Sequence, residues 1–293
     1  MTISPSTCTT PDGRQIEFAT LGNPAHPTVV YHHGTPGSVF LLDGFAEQAE
    51  KFGLFVIGMS RAGYGKSTAH TGRSVADVVA DVPAVLAHLG RTNYVTVGWS
   101  GGGPHALACA ALDPNCLHAV SLAGVAPVVD DFDWTEGMGP ENIEEFALAM
   151  QGGPAYDAAM QHTTEVFCAA TADTVIDIFG GLLSEIDKSS MAPLAARELI
   201  ASALAYGLSA GPGGFRDDDQ AFLHDWGFTL DAITTPVTIF FGDHDLMVPP
   251  RHGHYLAATI PSAQSRHLAD EGHISLVLNH GDEIFDVIAG AFA

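Results

Sequence analysis

Apolar positions in this chain cluster in short blocks separated by longer segments with helical spacing. "TVVYHHG" (28–34), "LFVIGMS" (54–60), "YVTVGWS" (94–100) and "LHAVSLAGVAP" (117–127) are apolar almost throughout. A strand with no polar face is covered on both sides, so these runs predict the parallel strands of a buried sheet. Between them, residues 40–52 read as helical. Val75, Val78, Val79, Val82, Val85, Leu86 and Leu89 recur at the i, i+3, i+4, i+7 spacing of one helix face. Ser74 ahead of that helix, with Asp77 three residues on, resembles a capping box. "CTTPDGRQIEFATLG" predicts a hairpin turning at Asp12-Gly13. Strands alternating with helices predict an α/β fold: a mostly parallel central sheet with helices on both faces.

From Val128 to Thr229 the pattern changes. This segment is helical in composition, carries no convincing buried strand, and is broken at Gly152-Gly153-Pro154, Gly180-Gly181 and "AGPGG" (210–214). "TTPVTIFFGDHD" (234–245) restores the strand pattern. A helix near 250–259, a strand near "AQSRHLA" and a long terminal helix from Ser275 complete the sheet. The division predicted is a core of 1–127 and 230–293 with a helical cap of 128–229, placed to cover a pocket.

Composition narrows the partners. Net charge is −23 with 11 Lys and Arg in 293 residues, which disfavours nucleic acid and anionic membrane, since both need a positive patch. The acidic residues are scattered except for "DDD" (217–219), and all read as a solubilising surface. No apolar stretch approaches a membrane span, and "MTISPSTCTTPDG" lacks the basic and apolar regions of a secretory signal, so a cytoplasmic location is expected. Four cysteines without a C-x-x-C pair predict no disulfide framework, and Cys109 reads as a small buried hydrophobe. The partner expected is a small-molecule substrate; the pattern leaves oligomeric state open.

The chemistry concentrates at "GWSGGGPHALACAA" (98–111), a glycine-rich turn between a predicted strand and a predicted helix. A phosphate loop places Lys and Ser/Thr where this chain has Pro104 and His105. Gly101, Gly103 and Ala106 meet a dinucleotide pattern, yet no acid ends the following strand near Leu122-Ala123-Gly124. The third reading is a nucleophile elbow, Gly98-Trp99-Ser100-Gly101-Gly102, which stands a serine hydroxyl on a sharp corner above the sheet. That hydroxyl needs a base, and the base an acid. Both follow in order: Asp243 and Asp245 after a late strand, His273 in "DEGHISL" after the last.

With these pieces in order the chain resembles the α/β-hydrolase family over 1 to about 127 and about 230 to 293, the insertion matching that family's variable cap. "HHGTPGS" (32–38) looks like its oxyanion loop. "SRAGYGKS" (60–67) looks like its D-R-x-G-x-G-x-S loop, with Ser60 where Asp is usual. "GDHDLMVP" (242–249) looks like its acid loop and favours Asp245 over Asp243. The resemblance implies Ser100 as nucleophile, His273 as general base and then acid, and Asp245 as the group that orients it. It also implies the backbone N–H groups of Gly101 and Thr35 as oxyanion donors. His33, Gly34, Gly98 and Trp99 support the motifs, His32 and His33 by holding the loop.

Ser100 excludes the alkyl-enzyme chemistry of relatives with Asp at the elbow. Proline iminopeptidases carry Trp after the serine, whereas here Trp99 precedes it. The expectation is a serine hydrolase acting on a small or medium carboxylic ester, with no cofactor and no metal. The alternatives are an iminopeptidase-like or carbon–carbon bond hydrolase of the same fold, or a non-catalytic small-ligand binder. His252-x-His254 does not present both rings to one ligand on a helix. Asp130 and Asp131 are a weaker position for the acid. Glu141, Glu144 and Glu145 read as a solvated helix face, against a minor reading as carboxylates that bind a substrate amine. Phe146, Phe167, Phe179, Phe215 and Trp226 read as cap core and apolar pocket lining.

Overall fold

The computed structural model describes residues 3–130 and 132–293. Its eight strands are β1 (Ser6–Thr9), β2 (Gln15–Leu21), β3 (Thr28–His32), β4 (Phe55–Ser60), β5 (Tyr94–Trp99), β6 (Cys116–Leu122), β7 (Val237–Gly242) and β8 (Ala263–Leu268). They form one sheet in the order β1-β2-β4-β3-β5-β6-β7-β8. The β1–β2 hairpin and the β2–β4 pair are antiparallel, and every other pair is parallel. β3, β4 and β7 are buried at every position, as strands covered on both faces must be. β8 closes one edge with the polar sequence AQSRHL, which discourages edge-to-edge association.

Twelve α-helices among the described residues surround the sheet. α1 (Ala46–Lys51), α2 (Val78–His88) and α3 (Gly102–Leu112) belong to the first half. The Asp77 carboxylate accepts from the Ser74 N–H at 2.6 Å just ahead of α2, so the capping residues expected there meet. In α3, Ala106, Leu107, Ala108 and Cys109 are fully buried, and burying a side chain the size of Leu107 contributes about 1.5–3 kcal/mol.

Between β6 and β7 the chain is helical: α4 (Pro140–Gln151), α5 (Gly153–Cys168), α6 (Val175–Phe179), α7 (Glu185–Ser190), α8 (Leu194–Gly207) and α9 (Gly213–Leu223). α10 (Pro250–Thr259), α11 (Ser275–Asn279) and α12 (Gly281–Gly290) follow. The long terminal helix expected from Ser275 is therefore two helices. His280 leaves the helical region at φ −113° and ψ 21°, and its ring engages Glu271 and Glu283 instead. No helix among the described residues is long and apolar enough to cross a membrane.

Two apolar cores flank the sheet. One holds Val78, Val82, Leu86, Leu107 and Leu256 from α2, α3 and α10. The other holds Leu42, Phe45, Leu276, Phe285 and Ile288. The carboxyl ends of the parallel strands are left free for loops, and the side chains described next stand on those loops.

Candidate active site

β5 ends at Trp99 and α3 begins at Gly102, so Ser100 sits in a turn of two residues. Its φ is 56°, the left-handed region, which costs a side-chain-bearing residue about 1–3 kcal/mol. Surrounding contacts hold it there. The Ser100 N–H donates to the Leu122 carbonyl at 2.8 Å, and the Gly103 N–H donates to the Ser100 carbonyl at 2.8 Å. Strand and helix meet too closely for side chains: a Cβ on Gly98 would lie 2.0 Å from the Gly102 oxygen. One on Gly101 would lie 2.2 Å from Thr35 Oγ1, which shows how tightly the 32–38 loop packs on the elbow.

Asp245 and His273 come from the loops after β7 and β8. Asp245 Oδ1 accepts from the Met247 and Val248 N–H groups at 2.8 and 2.7 Å. Its Oδ2 pairs with His273 Nδ1 at 2.7 Å, with both side chains buried. That pairing puts the ring proton on Nδ1 and leaves Nε2 as a free base. Burial alone would lower the basicity of His273, but the Asp245 carboxylate beside it, with help from Asp187, raises it above that of an ordinary histidine. Burial raises the Asp245 carboxyl despite its partner. The Trp99 ring lies 5.6 Å from the His273 ring, and its Nε1–H donates to the His273 carbonyl at 3.2 Å. Ser100 and His273 face the same small cavity of about 50 Å³.

The competitors for the acid position go elsewhere. Asp243 pairs with His267 at 2.7 Å on the surface. Asp130 is exposed, and Asp131 lies outside the described residues. His252 is structural: its Nδ1 accepts from the Ala126 N–H at 3.1 Å and its Nε2 donates to the Trp134 carbonyl at 2.9 Å.

The 32–38 loop is held by a buried network. His33 Nδ1–H donates to the Gly34 carbonyl at 2.7 Å, and its Nε2 accepts from the Arg61 N–H at 3.1 Å. Burial keeps this ring neutral. The Arg61 guanidinium donates to the carbonyls of His33 and Gly34 and to Thr35 Oγ1. Ser60 stands where the resembling loop has an acid. Here Glu17 on β2 supplies the carboxylate, accepting from Ser60 Oγ at 2.8 Å.

Comparison with known proteins fits this geometry. Residues 27–279 match the α/β hydrolase fold family. The chain belongs to that family. Among curated relatives, this α/β hydrolase is 28% identical over 272 residues to a pimeloyl-[acyl-carrier protein] methyl ester esterase of Chromobacterium violaceum, covering 90% of this chain and 92% of the relative. It is 25% identical over 283 residues to a proline iminopeptidase of Neisseria meningitidis, covering 88% and 86%. An esterase from Exiguobacterium antarcticum superposes with a TM-score of 0.70 at 19% identity, covering 99% of this chain and all of that one. An enol-lactonase from Burkholderia xenovorans superposes at 0.71 with 17% identity, covering 98% and 99%. These two likenesses show the fold.

Four buried carboxylates of this α/β hydrolase, Asp187, Asp217, Asp218 and Asp219, escaped sequence reasoning. "DDD" (217–219) is not a solubilising surface; all three side chains are buried on α9. Asp218 accepts from Arg73 at 2.6 Å, Tyr64 at 2.8 Å, Thr35 Oγ1 at 2.6 Å and Arg61. Burial opposes its charge, yet the two guanidiniums hold its carboxyl well below the usual range. Asp187 on α7 accepts from the N–H groups of His273, Ile274 and Ser275 at 3.3, 2.8 and 2.9 Å. The helical segment thus fixes both the 32–38 loop and the His273 loop.

Between sheet and helices the α/β hydrolase has a cavity of about 380 Å³ that opens to solvent past Glu141, Glu144 and His162. Ser100, Gly101 and Thr35 form its floor, and Phe146, Phe167, Phe179 and Phe215 line it while Trp226 stays in the core. Glu141, Glu144 and Glu145 stand at its rim; Glu141 and Glu144 are exposed, as a solvated helix face requires, and Glu145 is half-buried. Its volume suits a small molecule.

Proposed function

We propose that the protein hydrolyses a small or medium carboxylic ester through an acyl-enzyme on Ser100. The observation that carries this is the 2.7 Å Asp245–His273 pair, buried beside an elbow serine on one cavity. Ser100 Oγ attacks the acyl carbon while His273 Nε2 takes its proton. Asp245 stabilises the imidazolium that forms. The carbonyl oxygen becomes an oxyanion facing the backbone N–H groups of Gly101 and Thr35. The intermediate collapses, the ester C–O bond breaks, and the alcohol leaves with the proton from His273. Water, deprotonated by the same nitrogen, then releases the acid and restores Ser100. The name of the Chromobacterium violaceum relative supports an ester, and that of the Neisseria meningitidis relative makes an iminopeptidase-type amide the second reading.

The experiment is hydrolysis of p-nitrophenyl esters of graded chain length beside proline and alanine arylamides, across pH. Esters are expected to be cleaved faster. Because His273 must be neutral to act as base, and is held above an ordinary histidine, kcat/KM is expected to rise with pH through a midpoint above about 6.5. Arylamide cleavage far above ester cleavage would overturn the substrate class.

A further inference from the structure

Asp187 carries a buried charge to which the acyl-enzyme cycle gives no step. It sits on α7 and is fully buried. Its Oδ1 accepts from the Ile274 and Ser275 N–H groups at 2.8 and 2.9 Å. Its Oδ2 accepts from the His273 N–H at 3.3 Å, and from the Ser184 N–H and hydroxyl at 3.3 and 2.7 Å. Both oxygens accept and neither donates, so the group is a carboxylate. No cation pairs with it among the described residues: the neighbouring Lys188 turns to Glu185 at 2.8 Å on the surface. A second tie joins the same two helices, where the Asn279 amide of α11 donates to Ser190 Oγ of α7 at 3.3 Å.

We infer that Asp187 is a positioning residue for His273: from the helical segment it anchors the 273–275 backbone and places a second carboxylate charge beside the base, where the imidazolium forms. The kinetic consequence rests on the ester reading; the effect of the charge on the ring does not.

A loop tie alone would not need this group. Neutral oxygens can meet three N–H groups, and burying a charge costs more than burying a neutral acceptor. A buried negative charge with no cation of its own is offset when a positive charge forms nearby. His273 becomes positive each time it takes a proton. The carboxylate is fixed in advance, so no reorganisation accompanies that transfer. Among the described residues, the charges that face the ring are those of Asp245 and Asp187. Glu271, in the same loop, is engaged by Asn279 and His280. The chamber beside the ring is otherwise bordered by uncharged side chains such as Leu41, Trp99, Ile200 and Met247. The balance of basicity agrees: burial lowers that of His273, Asp245 raises it most, and Asp187 raises it further.

The test is an NMR titration of the His273 ring, assigned by its loss in His273→Gln, with the pH profile of kcat/KM on a p-nitrophenyl ester beside it. Asp187→Asn keeps the shape and removes the charge, and both midpoints are expected to fall by at least about 0.5 pH unit. The sign follows because the imidazolium loses a stabilising charge, so the ring gives up its proton at lower pH. Ser184→Ala loosens the start of α7 but keeps the charge, and its midpoints are expected to stay within about 0.2 unit of the native ones. Should Asp187→Asn fail to fold, Asp187→Ser is read in the same way. An unchanged ring midpoint in a folded Asp187 variant would overturn the inference. So would an equal fall in Ser184→Ala, since loosening rather than charge would then explain it. A fall of the ring midpoint in a protein that cleaves no ester supports the inferred placing of the charge and overturns the ester reading.

Discussion

Replacing Ser100 with alanine is expected to lower kcat on a p-nitrophenyl ester by about 10⁶-fold, and His273→Ala by a similar factor, with the double variant no worse than either alone. The non-additivity follows from the geometry. In the proposed mechanism every proton that His273 moves belongs to the acyl-enzyme cycle on Ser100, so once the hydroxyl is gone the base has nothing left to do. What remains is binding plus any oxyanion stabilisation, about 10³ to 10⁴ over water. Asp245 acts one step further away. It is held by the Met247 and Val248 N–H groups and pairs with His273 Nδ1, so its removal is expected to cost less, about 10⁴-fold. Steady-state kinetics of the three single variants and the double variant checks this. Losses that multiply in the double variant would show that the two side chains act independently.

Asp218→Ala is expected to destabilise the fold by about 3–5 kcal/mol, read from urea melts. Asp218 is fully buried, and Arg61 and Arg73 are nearly so, so removing the carboxylate leaves two guanidiniums in the interior without their partner. The loss extends to the 32–38 loop, because Thr35 Oγ1 donates to Asp218 while accepting from Arg61. The same pairing sets a pH dependence. Its folded-state pKa is held below the unfolded value, so its stabilisation is complete above the ordinary carboxylate range and is lost as pH falls through that range and below. A change under about 1 kcal/mol would show that water enters and replaces the pairing.

The strands were legible because parallel strands buried on both faces are apolar throughout, and "TVVYHHG" or "YVTVGWS" can hardly be read otherwise. The elbow was legible because its glycines are required by contacts as short as the 2.0 Å that a Gly98 Cβ would make. Asp245 and His273 stand in order on successive loops, so their encounter follows from topology. The buried aspartates on α9 were not legible. A run of three Asp has the local pattern of a solvated surface, and what reverses it lies far away in the chain. Arg61 and Arg73 precede Asp218 by 157 and 145 residues. Tyr156, which donates to Asp219, sits on another helix. Asp187 was hidden for the same reason: its partners are backbone N–H groups 86 to 88 residues away, which no side-chain pattern records. The break at His280 depends on Glu271 and Glu283, and a helical period cannot show a ring bonding outside its own helix.

The role of Ser100 is tested most directly by a fluorophosphonate probe, with the modified residue located by peptide mass spectrometry. One adduct is predicted, on Ser100, absent from Ser100→Ala and forming far more slowly in His273→Ala. Folded native protein that carries no adduct on Ser100 would contradict the nucleophile assignment and the mechanism built on it.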